Sequence, residues 1–516
     1  MITINNLIFG RRNSLPIALE SFIMNATGVS QIGVDGSQYK GFVITSSSSY
    51  QIDWGDGNII TYSAGTLQEI RHVYSTLYTG EIKILSTNLT TITSLDAKFT
   101  TSVYPSGGTI GTITVSTTEL SKLDGLTNLS TLDSNSLLVT GDVINLPNSL
   151  LYISIQSTNV SGNTSNLPQS LITCSIAGSN TIGGDTTGLP PLVTTLGIAG
   201  ANTISGNTTG LPRNTTGGLL ITGNNTISGN TTGLPQVSTV SLTITGNNTI
   251  SGDTSGLPRN VYNLHISGSN TISGNTSDLP RSTLWGGLNK LIIYGNNTIS
   301  GDTSGLPPVE AYLDIAGNNA ISGDTSGLPA LNTTYGSLRI YGNNSISGNV
   351  SNLPGANQVF IYGNNLITGD ISGFASTIQS IQLVSGSCSV YGDVATLPTQ
   401  LDGIIIESTG TLSGDLYYLP SGIGVFDLDC YMNFTYTAGR VWANFARLKL
   451  TVKGSWSGFN STQTDNLLID LYQKYYSDTS NKFIIKCSSN PKRTSASDTA
   501  YAGLVTKISA GSVILS

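Results

Sequence analysis

Three sets of residues in this chain have the types and spacing to do chemistry. The first is a rank of carboxylates and amides, each directly after a glycine: Asn163, Asp185, Asn207, Asn230, Asp253, Asn275, Asp302, Asp324, Asn349, Asp370, Asp393 and Asp415. Carboxylates stacked at strand spacing repel unless solvent or a cation intervenes. The all-acid run Asp370, Asp393, Asp415 is therefore where Ca²⁺ could bind. With Glu407 nearby, the same run could supply the carboxylate pair of a glycoside hydrolase. No second fixed carboxylate accompanies the rank, however, and Asn and Asp interchange freely along it. A side-chain brace of a turn tolerates that interchange, so the expectation is a brace with no catalytic residue.

The second set is His72, one of only two histidines, with Asp53 near it in sequence. A general-base dyad can be drawn from them, but a packed histidine bracing a turn accounts for both. The third set is a stripe of large side chains, Ile292 and Tyr294, Arg339 and Tyr341, then Phe360 and Tyr362. Aromatic rings beside an Arg suit the face of a sugar or a peptide. The four cysteines are scattered, with neither metal-ligand spacing nor a disulfide framework. Cys174 takes an inward apolar position and reads as a small buried hydrophobe.

What positions these residues is a repeated phrase. Leu242 to Pro258 reads LTITGNNTISGDTSGLP, with close copies from Leu219, Leu264, Leu291, Leu313 and Leu338. The closing prolines, from Pro147 through Pro258 to Pro420, recur about every 22 residues, and sustained self-similarity at that period means a solenoid. Leu242 and Ile244 alternate as a short strand with one buried face. The x positions between them face outward and carry the aromatic stripe. Gly246 turns the chain, and Asn248 recurs two residues before the next apolar residue, with equivalents at Asn180, Asn202, Asn225, Asn270, Asn297, Asn319, Asn344 and Asn365. The residue before it drifts among Asn, Ser and Ala, so the second Asn is the constrained one. An inward Asn at a fixed place can bond the backbone of the adjacent coil. Pro258 stops any helix from extending, which predicts a short, extended return limb.

This phrase resembles the leucine-rich repeat over roughly residues 120–458: leucines on a short strand, then Asn or Cys, then a variable limb. Cys388, two residues before Val390, stands where other copies have Asn, as that pattern allows. The Asn sits one residue later than the usual spacing, which predicts a wider corner. The resemblance implies a mainly β solenoid, with the stripe on its concave face.

Five segments follow. Residues 1–37 lack periodicity but carry apolar patches, and read as an arm and candidate anchor. Residues 38–86 hold Asp53-Trp54-Gly55-Asp56-Gly57 between alternating strands, then His72-Val73-Tyr74; this resembles a PKD-type (polycystic-kidney-disease) β-sandwich module. Residues 87–145 are degenerate opening repeats, 146–458 the array, and 459–516 an α/β cap with helix starts at Thr464-Asp465 and Ser495–Asp498. The stretch PKRTSASDTAYAGLVTKISAGSVIL resembles the closing unit of leucine-rich-repeat proteins of Bacteroidetes and of the tailed phages that infect them, crAss-like phages included.

Composition narrows the function. Of 516 residues 10% are charged, 60 are Gly and 38% are hydrophobic, a turn-rich β composition able to build a core. Net charge is −7 with no basic cluster, so nucleic acid is not an expected partner. No apolar run reaches the roughly 20 residues of a membrane span. The N-terminus shows no clean secretion signal: Glu20 interrupts the apolar stretch after Arg11-Arg12. Together with the resemblances, these features lead to the expectation of a non-enzymatic, tail-associated, fibre-like virion protein without a cofactor. It would attach to other virion proteins through the 1–37 arm, recognise a host-surface glycan or protein, and could self-associate. The alternatives are a bacterial cell-surface adhesin and a polysaccharide-degrading tailspike.

Overall fold

The computed structural model describes residues 20–32, 42–70, 72–88, 91–97, 117–123, 127–134, 138–237, 239–284, 287–385, 387–442, 447–452, 459–475, 484–487, 493–507 and 513–515. They fall into two units, Met1–Ile227 and Ser228–Ser516, divided within the strand Gly218–Asn230.

The first unit begins with two antiparallel sheets. Glu20–Ile32 pairs with His72–Ser86, which also pairs with Tyr50–Asp53, and Ile59–Tyr62 completes this four-stranded sheet. Phe42–Ser46 pairs with Gly65–Ile70 and with Ile92–Ala97. Period-two alternation buries Tyr50, Ile52 and Trp54, then Ile82 and Ile84; Ile44, Ile70 and Ile92 are buried as well. Part of the segment read as an arm, Glu20–Ile32, is thus a strand of this module, and the rest of 1–37 lies outside the described residues. The strand lacks a local signature because its partner stands some fifty residues downstream. Ile92–Ala97 then pairs in parallel with Thr131–Ser134, so the sheet runs on into the repeats.

The coils that follow are stacked parallel strands whose L-x-I limbs are in register, with a register shift at the glycine corner. In the first unit Ile153, Cys174 and Leu196 stand side by side, as do Ile155, Ile176 and Ile198. In the second unit the row runs Leu242, Leu264, Leu291, Leu313, Leu338, Val359, Ile381, Ile404, Phe426 and Leu448. Each full strand is longer than L-x-I because it bends at the glycine and continues: Thr239–Asp253 spans 15 residues. A single 3-10 turn, Thr254–Gly256, and the Leu-Pro step close the coil, so the return limb carries no α-helix. Leu242, Ile244, Ile250 and Leu257 are fully buried. Burying each such side chain stabilises by roughly 1.5–3 kcal/mol, against neighbouring coils alone.

The second unit ends by exchanging return limbs for helices. Ile484–Cys487 adds in parallel to Arg447–Val452, and Val513–Leu515 to Ile484–Cys487, with Ser461–Tyr475 and Asp498–Lys507 in the crossovers. Leu467, Leu468, Leu471 and Leu504 cover the core. Asp470 Oδ2 accepts from Tyr436 Oη at 2.7 Å and Gly439 N at 2.7 Å, which ties the first helix to the last loops of the array.

Candidate recognition face

Chemistry requires groups that are not already committed, so the ladders come first. Every repeat Asn is buried. Asn297 Oδ1 accepts from Ile272 N of the preceding coil at 3.0 Å, and its Nδ2 donates to Ala316 O of the following coil at 3.0 Å. Asn270, Asn319 and Asn344 bridge three coils in the same way; Asn180 and Asn202 do so in the first unit, where Asn225 accepts from Ile204 N. Asn248 donates to Ser267 O at 3.1 Å. The residue before each one, whether Asn, Ser or Ala, is exposed. The ladder stops at Asn365: it accepts from Ile346 N at 3.0 Å, but its Nδ2 is buried without a partner. Cys388, in the next Asn position, is buried with Sγ 3.5 Å from Asn365 O, and Ser408 Oγ takes over as acceptor for Val390 N at 2.8 Å.

A second ladder escapes sequence reading. The Thr after each Asx is fully buried at Thr164, Thr186, Thr231, Thr254, Thr276, Thr303 and Thr325. Its Oγ1 donates to the Asx carbonyl of the next coil, as in Thr276 to Asp302 at 2.7 Å and Thr303 to Asp324 at 2.7 Å. From Val350 onward the position is apolar and buried (Ile371, Val394, Leu416), so the hydroxyl gives way to packing. The signal was present as a Thr that follows every Asx from Asn163 to Asp324.

The acidic rank is a row of turn braces. Each member caps its own 3-10 turn, accepting from the backbone N two residues on: Asp302 from Ser304 at 2.9 Å, Asp370 from Ser372 at 2.8 Å, Asp393 from Ala395 at 2.9 Å and Asp415 from Tyr417 at 2.9 Å. Asp415 also accepts from Thr437 N at 3.0 Å. Asp370, Asp393 and Asp415, raised as Ca²⁺ ligands, are occupied as caps. Among the described residues no group of three or more His, Cys, Asp or Glu is placed to hold a metal ion. The side-chain and backbone donors of Ser304 hold Asp302 below the usual carboxylate range, and those of Ser326 do the same for Asp324. A lowered folded pKa means stabilisation present above the ordinary carboxylate pKa and lost as pH falls through the folded one. We expect Asp302→Asn and Asp324→Asn to leave stability near neutral pH unchanged and to flatten its decline in acid, read by denaturation from pH 7 to 3. An acid limb as steep as wild type contradicts the brace.

His72 pairs with Asp56, not Asp53, at 2.8 Å, and stacks on Trp54 with centroids 4.6 Å apart. Asp53 instead accepts from Gly55 N at 2.9 Å and caps the turn, while Tyr74 Oη donates to Trp54 O at 3.1 Å. Burial opposes the Asp56 charge, but donors from His72 and Asn58 outweigh it and hold the carboxyl low. The dyad with Asp53 is not formed.

The outward face of the L-x-I strands in the second unit is different in kind. Register sets Thr243, His265, Ile292, Asp314, Arg339, Phe360, Gln382 and Ile405 in one row. Beside it, Tyr341 and Tyr362 stack with centroids 4.7 Å apart, as strand spacing dictates. Tyr294 Oη donates to Asp314 Oδ2 at 2.6 Å; Arg339 lies 3.9 Å from the same carboxylate, donates to Gln358 Oε1 at 2.7 Å, and covers the Phe360 ring at 5.0 Å. Tyr362 Oη donates to Gln382 Oε1. Lys290 sits 5.5 Å over the Tyr312 ring, and His265 meets Tyr294 edge-on. Burial raises the Asp314 carboxyl pKa against the lowering pull of Tyr294, Arg339 and Lys290.

Six residues were expected on this face, and the structure brings them together with one correction. Tyr294, Arg339, Tyr341 and Tyr362 are half-buried and present polar edges. Ile292 and Phe360 are only 8% exposed, so they form the floor under larger neighbours and offer little contact area. Asp314, Gln358, Gln382, Lys290 and His265 were missed. His265, Asp314 and Gln382 share the row of Ile292, Arg339 and Phe360 on other coils, while Lys290 and Gln358 stand one place before the Leu row; reading register in place of hydrophobicity finds them.

Coils of parallel L-x-I strands, a buried Asn ladder, an Asx-capped 3-10 turn and a Leu-Pro closure define a mainly β solenoid of the leucine-rich-repeat type. Among solved structures the chain is similar to the Arabidopsis receptor kinase HAESA in complex with the peptide hormone IDA and the co-receptor SERK1, at 18% identity and TM-score 0.44, over 71% of this chain and 76% of that one. It is similar to the plant peptide hormone receptor RGFR1 in complex with RGF2, at 15% identity and TM-score 0.44, over 71% and 70%. It also resembles a plant ice-binding protein at 19% identity and TM-score 0.30, over 41% and 71%. At these scores the likenesses carry no argument about ligands. No protein-family model and no curated protein matches the chain.

Proposed function

We propose that this is a non-enzymatic recognition protein, and that the strand face from Leu288–Asp302 to Ser380–Val384 is its binding surface. The observation that carries the reading is the concentration there of Tyr294, Asp314, Arg339, Tyr341, Gln358, Tyr362 and Gln382, cross-linked side chain to side chain. The first-unit strands present Ser175, Ala177, Gly197 and Ala199 at the same positions, with Leu220 the one large exposed group among the described residues there. A face whose polar groups are held by one another is pre-organised, which lowers the entropy cost of binding.

The finer reading is a tail-associated phage protein that displays this face to a bacterial surface, with its N-terminal module as the PKD-type spacer and attachment end. The module-plus-array layout and the resemblances at both ends of the chain support it. Antibody against the array should decorate the tails of intact virions in electron micrographs. Labelling confined to the envelopes of uninfected bacteria contradicts the virion reading and leaves a surface adhesin.

A further inference from the structure

Resting on the reading of this face as the binding surface, the structure also speaks to the chemistry of the ligand. Tyr341 is covered on one side by Tyr362. On its other side, one residue past the paired Ile315 and Ile340, the neighbouring coil carries only Ala316. Beyond that coil stands Tyr294, whose phenol leans onto it to donate to Asp314 Oδ2 at 2.6 Å. The single methyl group of Ala316 thus leaves a gap against the second face of Tyr341. A phenol face beside fixed polar groups suits a puckered, saturated ring that offers C–H groups to it.

The polar groups beside this gap match such a ring. Asp314 is 5% exposed, its Oδ2 is taken by Tyr294, and its Oδ1 is buried without a partner. An unsatisfied buried carboxylate oxygen favours a ligand that brings a hydroxyl donor. Arg339 and Gln358 stand on the next two coils; with Gln358 Oε1 already accepting from Arg339 and Ser337, the remaining guanidinium N–H groups and Gln358 Nε2 are donors for vicinal hydroxyls. A peptide strand has less to gain here, because the parallel ladders already use the backbone groups through which a peptide would add to a sheet.

We infer that this face binds an uncharged hexopyranose unit of a polysaccharide, its ring against Tyr341 over Ala316 and its hydroxyls on Asp314, Arg339 and Gln358. The test uses the full chain on immobilised neutral glucans, mannans and galactans, and on intact bacterial cells before and after periodate, which cleaves vicinal diols. The proposal expects binding to at least one neutral polymer, periodate-sensitive binding to cells, and roughly thirtyfold weaker binding for Tyr341→Ala. Ala316→Trp, which fills the gap while leaving every polar group in place, should weaken binding comparably with unchanged circular dichroism. Cell binding that both variants lose but that survives periodate and disappears with protease overturns the glycan and keeps the face. Cell binding that both variants retain overturns the face itself, and binding to none of the polymers sinks the glycan proposal.

Discussion

Replacing Asn297 with Ala should cost roughly 2–6 kcal/mol, because it orphans two buried backbone groups at about 1–3 kcal/mol each. The groups are Ile272 N–H on one side and Ala316 C=O on the other, each bonded at 3.0 Å in the native chain. A built-in comparison lies at the end of the ladder. Asn365 makes only the acceptor bond, to Ile346 N, and its amide nitrogen is already without a partner. Asn365→Ala should therefore cost about half as much. Because repeat arrays can lose all-or-none behaviour, amide exchange is the better readout than a single melting point. The Ile272 amide should exchange far faster in Asn297→Ala, and the Ile346 amide in Asn365→Ala. Equal costs for the two variants would falsify the two-sided bridge.

The second large effect is at the glycine corner. Gly317 has φ +149°, and an added Cβ would lie 2.6 Å from Asn297 N and 2.7 Å from Asn297 O. Backbone cannot swing aside as a side chain does, so Gly317→Ala must push the coils apart and strain φ as well. Gly287 has nearly the same φ, +147°, with nothing within 4 Å of the added carbon. Gly287→Ala thus carries the conformational strain alone, about 1–3 kcal/mol. Gly317→Ala should exceed it by a further 2 kcal/mol or more, as overpacking typically costs 1–3 kcal/mol. Equal destabilisation in urea would mean that φ alone explains the glycine.

These two predictions also mark what was legible in the sequence. The period, the inward leucines, the buried second Asn and the Asx brace could all be read from it, because each is a local pattern repeated many times. Repetition makes the constrained position visible against the ones that drift. What escaped depends on pairing across distance. Glu20–Ile32 belongs to a sheet whose partner strand begins at His72, and no local periodicity announces it. The choice between Asp53 and Asp56 for His72 depends on how the Trp54 ring is laid down. Asp314 carries no signal within its own repeat, because the groups that hold its carboxylate, Tyr294 and Arg339, come from the coils on either side. The stripe was found by size and aromaticity, and the same habit hid its polar half and promoted Ile292 and Phe360, which lie beneath it.

If one face of the second unit is the recognition surface, stripping that face and altering another face of the same coils must have unequal effects. Tyr341→Ala with Tyr362→Ala strips the L-x-I strand face. Thr298→Ala with Ser345→Ala alters exposed positions on the other limb of the same coils, one residue past Asn297 and Asn344. Binding of the full chain to intact bacterial cells, titrated for wild type and both double variants, gives the measurement. A recognition role for the strand face requires that the first pair lose roughly tenfold or more in affinity and that the second match wild type. A first pair that binds like wild type, or a second pair that loses as much, contradicts it.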